Sequence, residues 1–288
     1  MVYLLAIASA MFYGAADFAG GLTTRRAGTI PVVFLSQASG LLLLALLLLF
    51  LPGRPTSADL AWGAVAGLTG GVGVALLYRA LAIGVMAVVA PTTAVCAVAI
   101  PVLVSILLGE RPLPLVATGI LLGIWSIVLV SRQDTLQTSS SAVASRARRG
   151  LPPGVGIALI SGVAIGFFFL SLAQTRSEAG MWPILAARTI STALFGSLAL
   201  ARRESLRMSR STLGLVVLAG TVDMLANALY LEAARQGPLS VVVTLSSLYP
   251  ASTVLLARIA LGERLNGWQM TGVACALAAI VLIVSGDR

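Results

Sequence analysis

The sequence predicts an all-α integral membrane protein with ten transmembrane helices, arranged as two inverted repeats of five helices each. Of its 288 residues, 58% are hydrophobic and only 10% are charged, whereas a soluble domain carries roughly 25% charged residues. Apolar stretches of about 20 residues recur along the chain, and this length crosses a bilayer core of roughly 30 Å. The tetrapeptide "LGER" occurs twice, at residues 108–111 and 261–264, and each copy follows a long apolar run.

Hydropathy places the spans in order along the chain. They are expected at residues 3–21, 29–51, 60–82, 86–107, 113–131, 154–174, 182–200, 212–233, 239–260 and 266–285. The first stretch lacks the basic region of a signal peptide and is longer than its apolar core, so it is interpreted as a span.

One connection is long. Residues 131–154 are rich in serine and arginine and end with two prolines and a glycine, a composition typical of an interdomain linker. The predicted organisation is therefore a first repeat at 1–132, a linker at 133–153 and a second repeat at 154–288.

Glycines and prolines support the repeat, because they recur at an offset of 152 or 153 residues. Examples are Gly14 with Gly166, Pro31 with Pro183, and Gly67 with Gly220. Because five is an odd number, the second repeat must start on the opposite side of the membrane from the first. Inverted repeats of this kind underlie alternating access in many secondary transporters, so transport is the leading function.

The LGER segments each close the fourth helix of a repeat. We interpret Glu110, Arg111, Glu263 and Arg264 as structural turn markers at the water interface, in preference to substrate ligands.

The residue types that are missing exclude several chemistries. Every basic side chain is an arginine, so a lysine Schiff base, a Ser-His dyad and an HExxH zinc site are impossible. Cys96 and Cys275 are isolated in apolar runs and are expected to be packed thiols. We predict no cofactor, no metal and no enzymatic activity.

The distribution of the arginines bears on partners and on orientation. The arginines are scattered along the chain, which argues against nucleic-acid binding. Most of them lie in the odd-numbered connections between spans, which places these connections in the cytoplasm and both termini outside.

Three short segments carry a family resemblance. They are "FYGAADFAG" at 12–20, "WPILAART" at 182–189 with Pro183 and Arg188, and "LYPASTVLLARIALGE" at 248–263 with Pro250. The third segment covers the end of the ninth span and the start of the second LGER. Together with the LGER segments they resemble the EamA-type ten-helix members of the drug/metabolite transporter superfamily, most closely the bacterial amino-acid exporters, including the aromatic amino-acid exporter. The first repeat departs from this pattern, with Tyr13 in place of tryptophan, no arginine after Pro31 and Ala97 in place of proline.

The resemblance implies a multi-pass protein of the bacterial inner membrane that exports small metabolites. Its expected partners are an amino acid or similar small molecule and the lipid bilayer, and we expect the chain to act as a monomer.

Polar groups inside the membrane are costly, and they are therefore the first candidates for function. Asp17, Arg188 and Asp223 are candidates for coupling or for pairing helices. Asp223 and Asn227 are four residues apart on one helical face, with Tyr230 close behind, and we expect this face to line the pathway. Either Asp223 pairs with an arginine such as Arg188 and ties helices together, or it is unpaired and exchanges protons.

The fourth and ninth spans supply further candidates for a substrate cavity. They are Pro91, Thr92 and Thr93 in the first repeat and Ser246 and Ser247 in the second. Their hydroxyls and proline-freed carbonyls could bind solute at the midplane, or the same small residues could serve helix packing. Tyr78, Tyr230 and Tyr249 could stack on a substrate, while anchoring at the membrane interface is the alternative for Tyr78 and Tyr230.

The predicted function is a secondary transporter that exports small organic metabolites, amino acids including aromatic ones, by alternating access around a central cavity between the repeats. A membrane scaffold or assembly protein is the main alternative. An intramembrane aspartyl-type enzyme is a weaker one, because neither Asp17 nor Asp223 has the glycine-rich context of such sites.

Overall fold

The computed structural model describes residues 1–107, 114–130, 151–236, 242, 245–246 and 248–286, and this part of the chain is helical without strands. The helices of the first repeat are α1 Val2–Ala27, α2 Thr29–Leu47, α3 Ser57–Ile83, α4 Met86–Leu107 and α5 Pro114–Val130. Those of the second are α6 Val155–Ala173, α7 Trp182–Ala201, α8 Arg210–Gln236, α9 Tyr249–Leu261 and α10 Gly267–Gly286. This architecture confirms the predicted fold class.

The helices have the length and composition of membrane spans. Within the described residues, α1, α2, α3, α6, α7 and most of α8 are long and apolar enough to cross a bilayer, and the other four contribute shorter apolar segments. Large apolar side chains also cover the outside of the bundle, such as Leu4, Leu121 and Ile259, which are 71%, 66% and 72% exposed. Exposed apolar surface on this scale is suited to lipid.

Helix packing between the repeats follows an internal two-fold relation. Helix α1 packs against α8 as α6 packs against α3, and α2 packs against α8 as α7 packs against α3. Likewise α1 contacts α9 as α6 contacts α4, while α2, α4 and α5 each contact their own counterparts α7, α9 and α10. Exchanging the repeats thus reproduces most of these contacts, and the core of the protein lies between them.

Glycines allow α3 and α7 to approach closely. A Cβ added at Gly63 would lie 2.9 Å from the Cα of Pro183, and one added at Gly67 would lie 2.8 Å from the Cα of Ala187. Only glycine permits this distance between two backbones. The GxxxG pattern of α3 is therefore a packing surface between the repeats.

At one end of the bundle, the second LGER segment contacts the first repeat. The carboxylate of Glu263 accepts hydrogen bonds from the backbone N–H groups of Met86, at 3.1 Å, and Ala87, at 3.0 Å. Arg25 lies at the same end, with its Nη2 3.8 Å from Glu263 Oε1. Glu263 therefore caps the start of α4, because the first N–H groups of a helix have no partners within that helix. The first LGER segment lies outside the described residues.

At the other end, Asp59 near the start of α3 contacts the connection between α6 and α7. Its side chain is 2% exposed and accepts hydrogen bonds from the backbone N–H of Arg176, at 2.9 Å, and from its Nη2, at 3.0 Å. Asp59 also forms a capping box with Thr56. The residues of the two ends are separated by the length of α3, roughly 40 Å for 27 residues at 1.5 Å each. Polar contacts thus link the two repeats at both ends of the bundle.

Candidate functional site

A cavity of about 670 Å³ lies between the two repeats, a volume in the usual range for small-molecule sites of roughly 300–1,000 Å³. Its wall combines side chains of α1 to α4 from the first repeat with side chains of α6 to α9 from the second, counting Ser246 just before α9. Most of the wall is apolar, and a few polar groups converge on it. Because both repeats contribute, any movement of one repeat against the other changes the shape of this cavity.

Arg188 of α7 organises the polar part of the wall. It is 7% exposed, its Nη1 donates a hydrogen bond of 2.9 Å to Gln37 Oε1, and its Nη2 forms an ion pair with Asp223. The Nε of Arg188 is buried without a hydrogen-bond partner among the described residues. Asn227 donates a hydrogen bond of 2.8 Å to the backbone oxygen of Asp223, one turn earlier on α8. The guanidinium therefore connects α2, α7 and α8.

Glycine makes room for this guanidinium. A Cβ at Gly40 of α2 would lie 2.5 Å from Arg188 Nη1 and 2.8 Å from the backbone oxygen of Gly220. Helices α2 and α8 therefore meet at their backbones, and Arg188 fills the space beside the contact. A larger residue at Gly40 would displace either the arginine or α8.

Asp17 of α1 is half-buried and lines the same cavity. It forms no hydrogen bond or ion pair with the part of the chain that the structure describes, in contrast to Asp223. It lies close enough to Asp223, Tyr78 and Tyr249 to interact electrostatically with each. The wall thus holds two carboxyl groups and one guanidinium, and the guanidinium is already paired.

Aromatic rings surround Asp17. The rings of Tyr13 and Tyr249 meet edge to face, with centroids 6.2 Å apart and an angle of 61° between their planes. The ring of Tyr78 is 3% exposed and packs directly against Gly20 of α1, where any side chain would collide with it. Across the cavity, the rings of Phe168 and Phe169 have centroids 5.4 Å apart. The site therefore combines charged groups with an aromatic and apolar surface.

The cavity brings together many of the residues singled out from the sequence. Those that line it are Asp17, Tyr78, Arg188, Asp223, Asn227, Tyr230, Ser246 and Tyr249. Asp223 was expected either to pair with an arginine or to be unpaired, and in the structure it forms an ion pair with Arg188.

The predicted residues of the fourth span have other surroundings. Pro91 is buried inside α4, which continues across it without a break. Thr92 donates a hydrogen bond of 2.8 Å to Val88 O within α4, and Thr93 donates one of 3.3 Å to Ala158 O of α6. These contacts are those of helix packing. Ser247 lies outside the described residues.

Several wall residues were not predicted as ligands from the sequence, among them Tyr13, Ser36 and Gln37. The repeat contains a signal for Ser36, since it stands 152 residues before Arg188 and so occupies the matching position of the first repeat. Gln37 is an amide inside an apolar span, and intramembrane polar groups of that kind usually face a cavity or a partner.

A membrane bundle of two five-helix repeats around a shared cavity, with polar groups converging on a mainly apolar wall, has the architecture of a secondary transporter. The EamA-like transporter family matches residues 1–132 and 152–285. The chain therefore belongs to this family, which is part of the drug/metabolite transporter superfamily, and it is a membrane transporter of small molecules. The resemblance of the sequence motifs to the EamA-type family is confirmed.

No curated protein sequence matches the chain. A solved crystal structure is similar, with a TM-score of 0.58 and 16% sequence identity, over 98% of this chain and 95% of the other. At this level of identity the similarity supports the fold alone.

Proposed function

We propose that this protein exports small organic metabolites, and amino acids including aromatic ones in particular, by alternating access around the central cavity. The observation that carries the proposal is the composition of the cavity wall, which both repeats build and which joins a charged cluster to a set of aromatic rings. A volume of about 670 Å³ accommodates an amino acid of any size. Hydroxyl and carboxyl groups of the wall would bond its polar end, and the rings would contact its side chain.

The contacts at the two ends of the bundle suggest how access would alternate. One end is held by Glu263 at the start of α4, and the other by Asp59 with Arg176. Each contact joins one repeat to the other, so a rocking motion would separate one contact while keeping the other. The freed charges would be solvated by water at the membrane surface, which keeps the difference in energy between the two states small.

The direction of transport and the location follow from charge and family. Arg25 and Arg203 belong to connections on the arginine-rich side, which we place in the cytoplasm of a bacterial cell, with both termini outside. The cavity is formed by a single chain, so a monomer would be sufficient for transport. The sequence has no ATP-binding motif, and the driving force would be an ion gradient or the gradient of the solute itself.

The ion pair at the site is unfavourable for the alternative of an aspartyl-type enzyme. Such enzymes need two carboxyl groups that share a proton, whereas Asp223 is engaged by Arg188. A scaffold protein would not need a cavity built by both repeats.

The test is efflux from proteoliposomes loaded with a panel of labelled amino acids, with and without an imposed pH gradient. Asp223→Asn is compared with the wild type, and Glu232→Gln is a matched control, because Glu232 lies on the same helix but is exposed. We expect saturable efflux of some members of the panel by the wild type and by Glu232→Gln, and reduced efflux by Asp223→Asn. Absence of flux above that of empty liposomes, from protein shown to be folded, would refute amino-acid export.

A further inference from the structure

The charges that face the cavity do not balance. Arg188 supplies one positive charge, and its Nη groups already bond Asp223 and Gln37. Asp17 has no such partner among the described residues, although its carboxyl group lies in a largely apolar wall. An ionised carboxylate in such a place is stabilised strongly by a cation that enters the cavity. When Asp17 is ionised, the site is therefore one positive charge short of neutrality, and a cation that enters the cavity favours this ionised form.

The surroundings of Asp17 suit an ammonium group in particular. Tyr13 precedes Asp17 by four residues on α1, so the two side chains share one helical face. Tyr249 contacts the Tyr13 ring, and both Tyr249 and Tyr78 are within electrostatic range of Asp17. Aromatic rings attract organic cations through their negative faces. A carboxylate among tyrosine rings thus binds an ammonium by charge and by cation–π contact.

A substrate carboxylate would find a less favourable wall. The only guanidinium among the described cavity residues is already paired with Asp223 and bonded to Gln37, and its Nε is buried. A substrate carboxylate in the cavity would also be repelled by ionised Asp17, whereas the charge of Asp223 is offset by Arg188. A free amino acid gains its ammonium contact at Asp17 but brings this repulsion with it.

We propose that Asp17 is the anchor for the ammonium group of the substrate, and that the cavity prefers monocationic amines with an aromatic or apolar body over the zwitterionic amino acids of the same size. This class includes aralkyl amines and amino-acid esters. The inference rests on one part of the proposed function, namely that the central cavity binds the transported solute, and it narrows the class of solute from amino acids to amines. Phe168 and Phe169 provide the apolar surface for the body of the amine.

Three probes that share a phenylethyl body separate the possibilities: phenethylamine as a cation, phenylalanine as a zwitterion and 3-phenylpropanoate as an anion. Binding of each is measured by calorimetry to the full chain in nanodiscs. We expect phenethylamine to bind at least tenfold more tightly than phenylalanine, and 3-phenylpropanoate not to bind. Asp17→Asn should weaken amine binding at least tenfold, while Asp17→Glu should retain most of it. Thermal unfolding of each variant shows that the protein is folded.

Several results would overturn the inference. Equal or tighter binding of phenylalanine would remove the preference, and unchanged amine binding by folded Asp17→Asn would remove the anchor and leave Asp17 as a proton-exchanging group. Failure of all three probes to bind the folded protein would also refute it.

The outcome is distinguishable from that of the efflux assay. Efflux of amino acids that is unchanged by Asp17→Asn would leave the proposed function standing and the anchor refuted. Amine binding lost in Asp17→Asn, with no amino-acid efflux by the wild type, would support the anchor and refute amino-acid export.

Discussion

The carboxylate of Glu263 in the second repeat accepts a hydrogen bond of 3.0 Å from the backbone N–H of Ala87 in the first. A turn that closes α9 thereby caps the N-terminus of α4, a helix of the other repeat. This contact explains why a charged residue follows the apolar run of the fourth helix in the second repeat. The charge is needed at the partner helix, where the N-terminal end of the helix dipole favours a carboxylate.

Glu263→Ala should destabilise the protein, because two backbone N–H groups at the start of α4 lose a charged acceptor. Hydrogen bonds to charged groups contribute roughly 1.5–3 kcal/mol, and partial exposure of this site reduces the expected loss to about 1–2 kcal/mol. Chemical denaturation in detergent measures this loss as a change in the free energy of unfolding. The free energy of unfolding of Glu263→Gln should lie between that of the wild type and that of Glu263→Ala, since the amide oxygen still accepts a hydrogen bond. The exposed Glu204 supplies the control, and a loss in Glu204→Ala equal to that in Glu263→Ala would contradict the capping role.

Asp59 and Arg176 should contribute unequally, although they form one ion pair. Asp59 also accepts hydrogen bonds from Thr56, and its side chain is 2% exposed, whereas the side chain of Arg176 is 51% exposed. Asp59→Ala should therefore lower the unfolding temperature more than Arg176→Ala does. In the double variant the two effects should be less than additive, because the pair is lost once only. Equal effects of the two single variants would show that the capping box is unimportant.

Two glycines provide a matched test of the packing between α3 and α7. Gly67→Ala should destabilise the protein by roughly 1–3 kcal/mol, because its Cβ would lie 2.8 Å from the Cα of Ala187, a backbone atom that cannot rotate away. Gly214→Ala on α8 has no atom within 4 Å of the added Cβ. It should be neutral or stabilising by about 0.5–1 kcal/mol, as in other helix interiors. Chemical denaturation in detergent compares them, and a loss in Gly214→Ala as large as that in Gly67→Ala would be inconsistent with a steric cause.

Much of the fold could be predicted because the bilayer imposes the length and polarity of a span. The fourth span was predicted at 86–107, and α4 runs from Met86 to Leu107. Pro91 was singled out because a proline can interrupt a membrane helix, but α4 continues across it. A proline inside a membrane helix is tolerated where neighbouring groups compensate for the lost hydrogen bond. Pro250 instead lies in the first turn of α9, where no N–H is required.

The partners of individual side chains were harder to predict. A membrane helix is apolar on its lipid side as well as on its protein side, so periodicity does not reveal its inward face. The contact between Gln37 and Arg188 depends on how α2 and α7 are rotated against each other, which only packing determines. Asp223 was different, because the cost of burying a charge restricts it to a partner or a cavity, and it has both.

The ion pair between Arg188 and Asp223 permits the sharpest test of the site. Asp223→Ala leaves the buried guanidinium without its counter-charge, and removal of one member of a fully buried pair costs roughly 3–5 kcal/mol. Because 30% of the Asp223 side chain is exposed, about 2–3 kcal/mol is expected here. The double variant Arg188→Met with Asp223→Ala should regain part of this loss, since no unpaired charge remains. Solute efflux should stay low in both variants, because each lacks the Asp223 carboxylate of the cavity wall, and the double variant also loses the Arg188 contact that positions Gln37. Stability that falls further in the double variant than in Asp223→Ala would show that the two side chains act independently, and wild-type efflux in the double variant would remove the pair from the transport site.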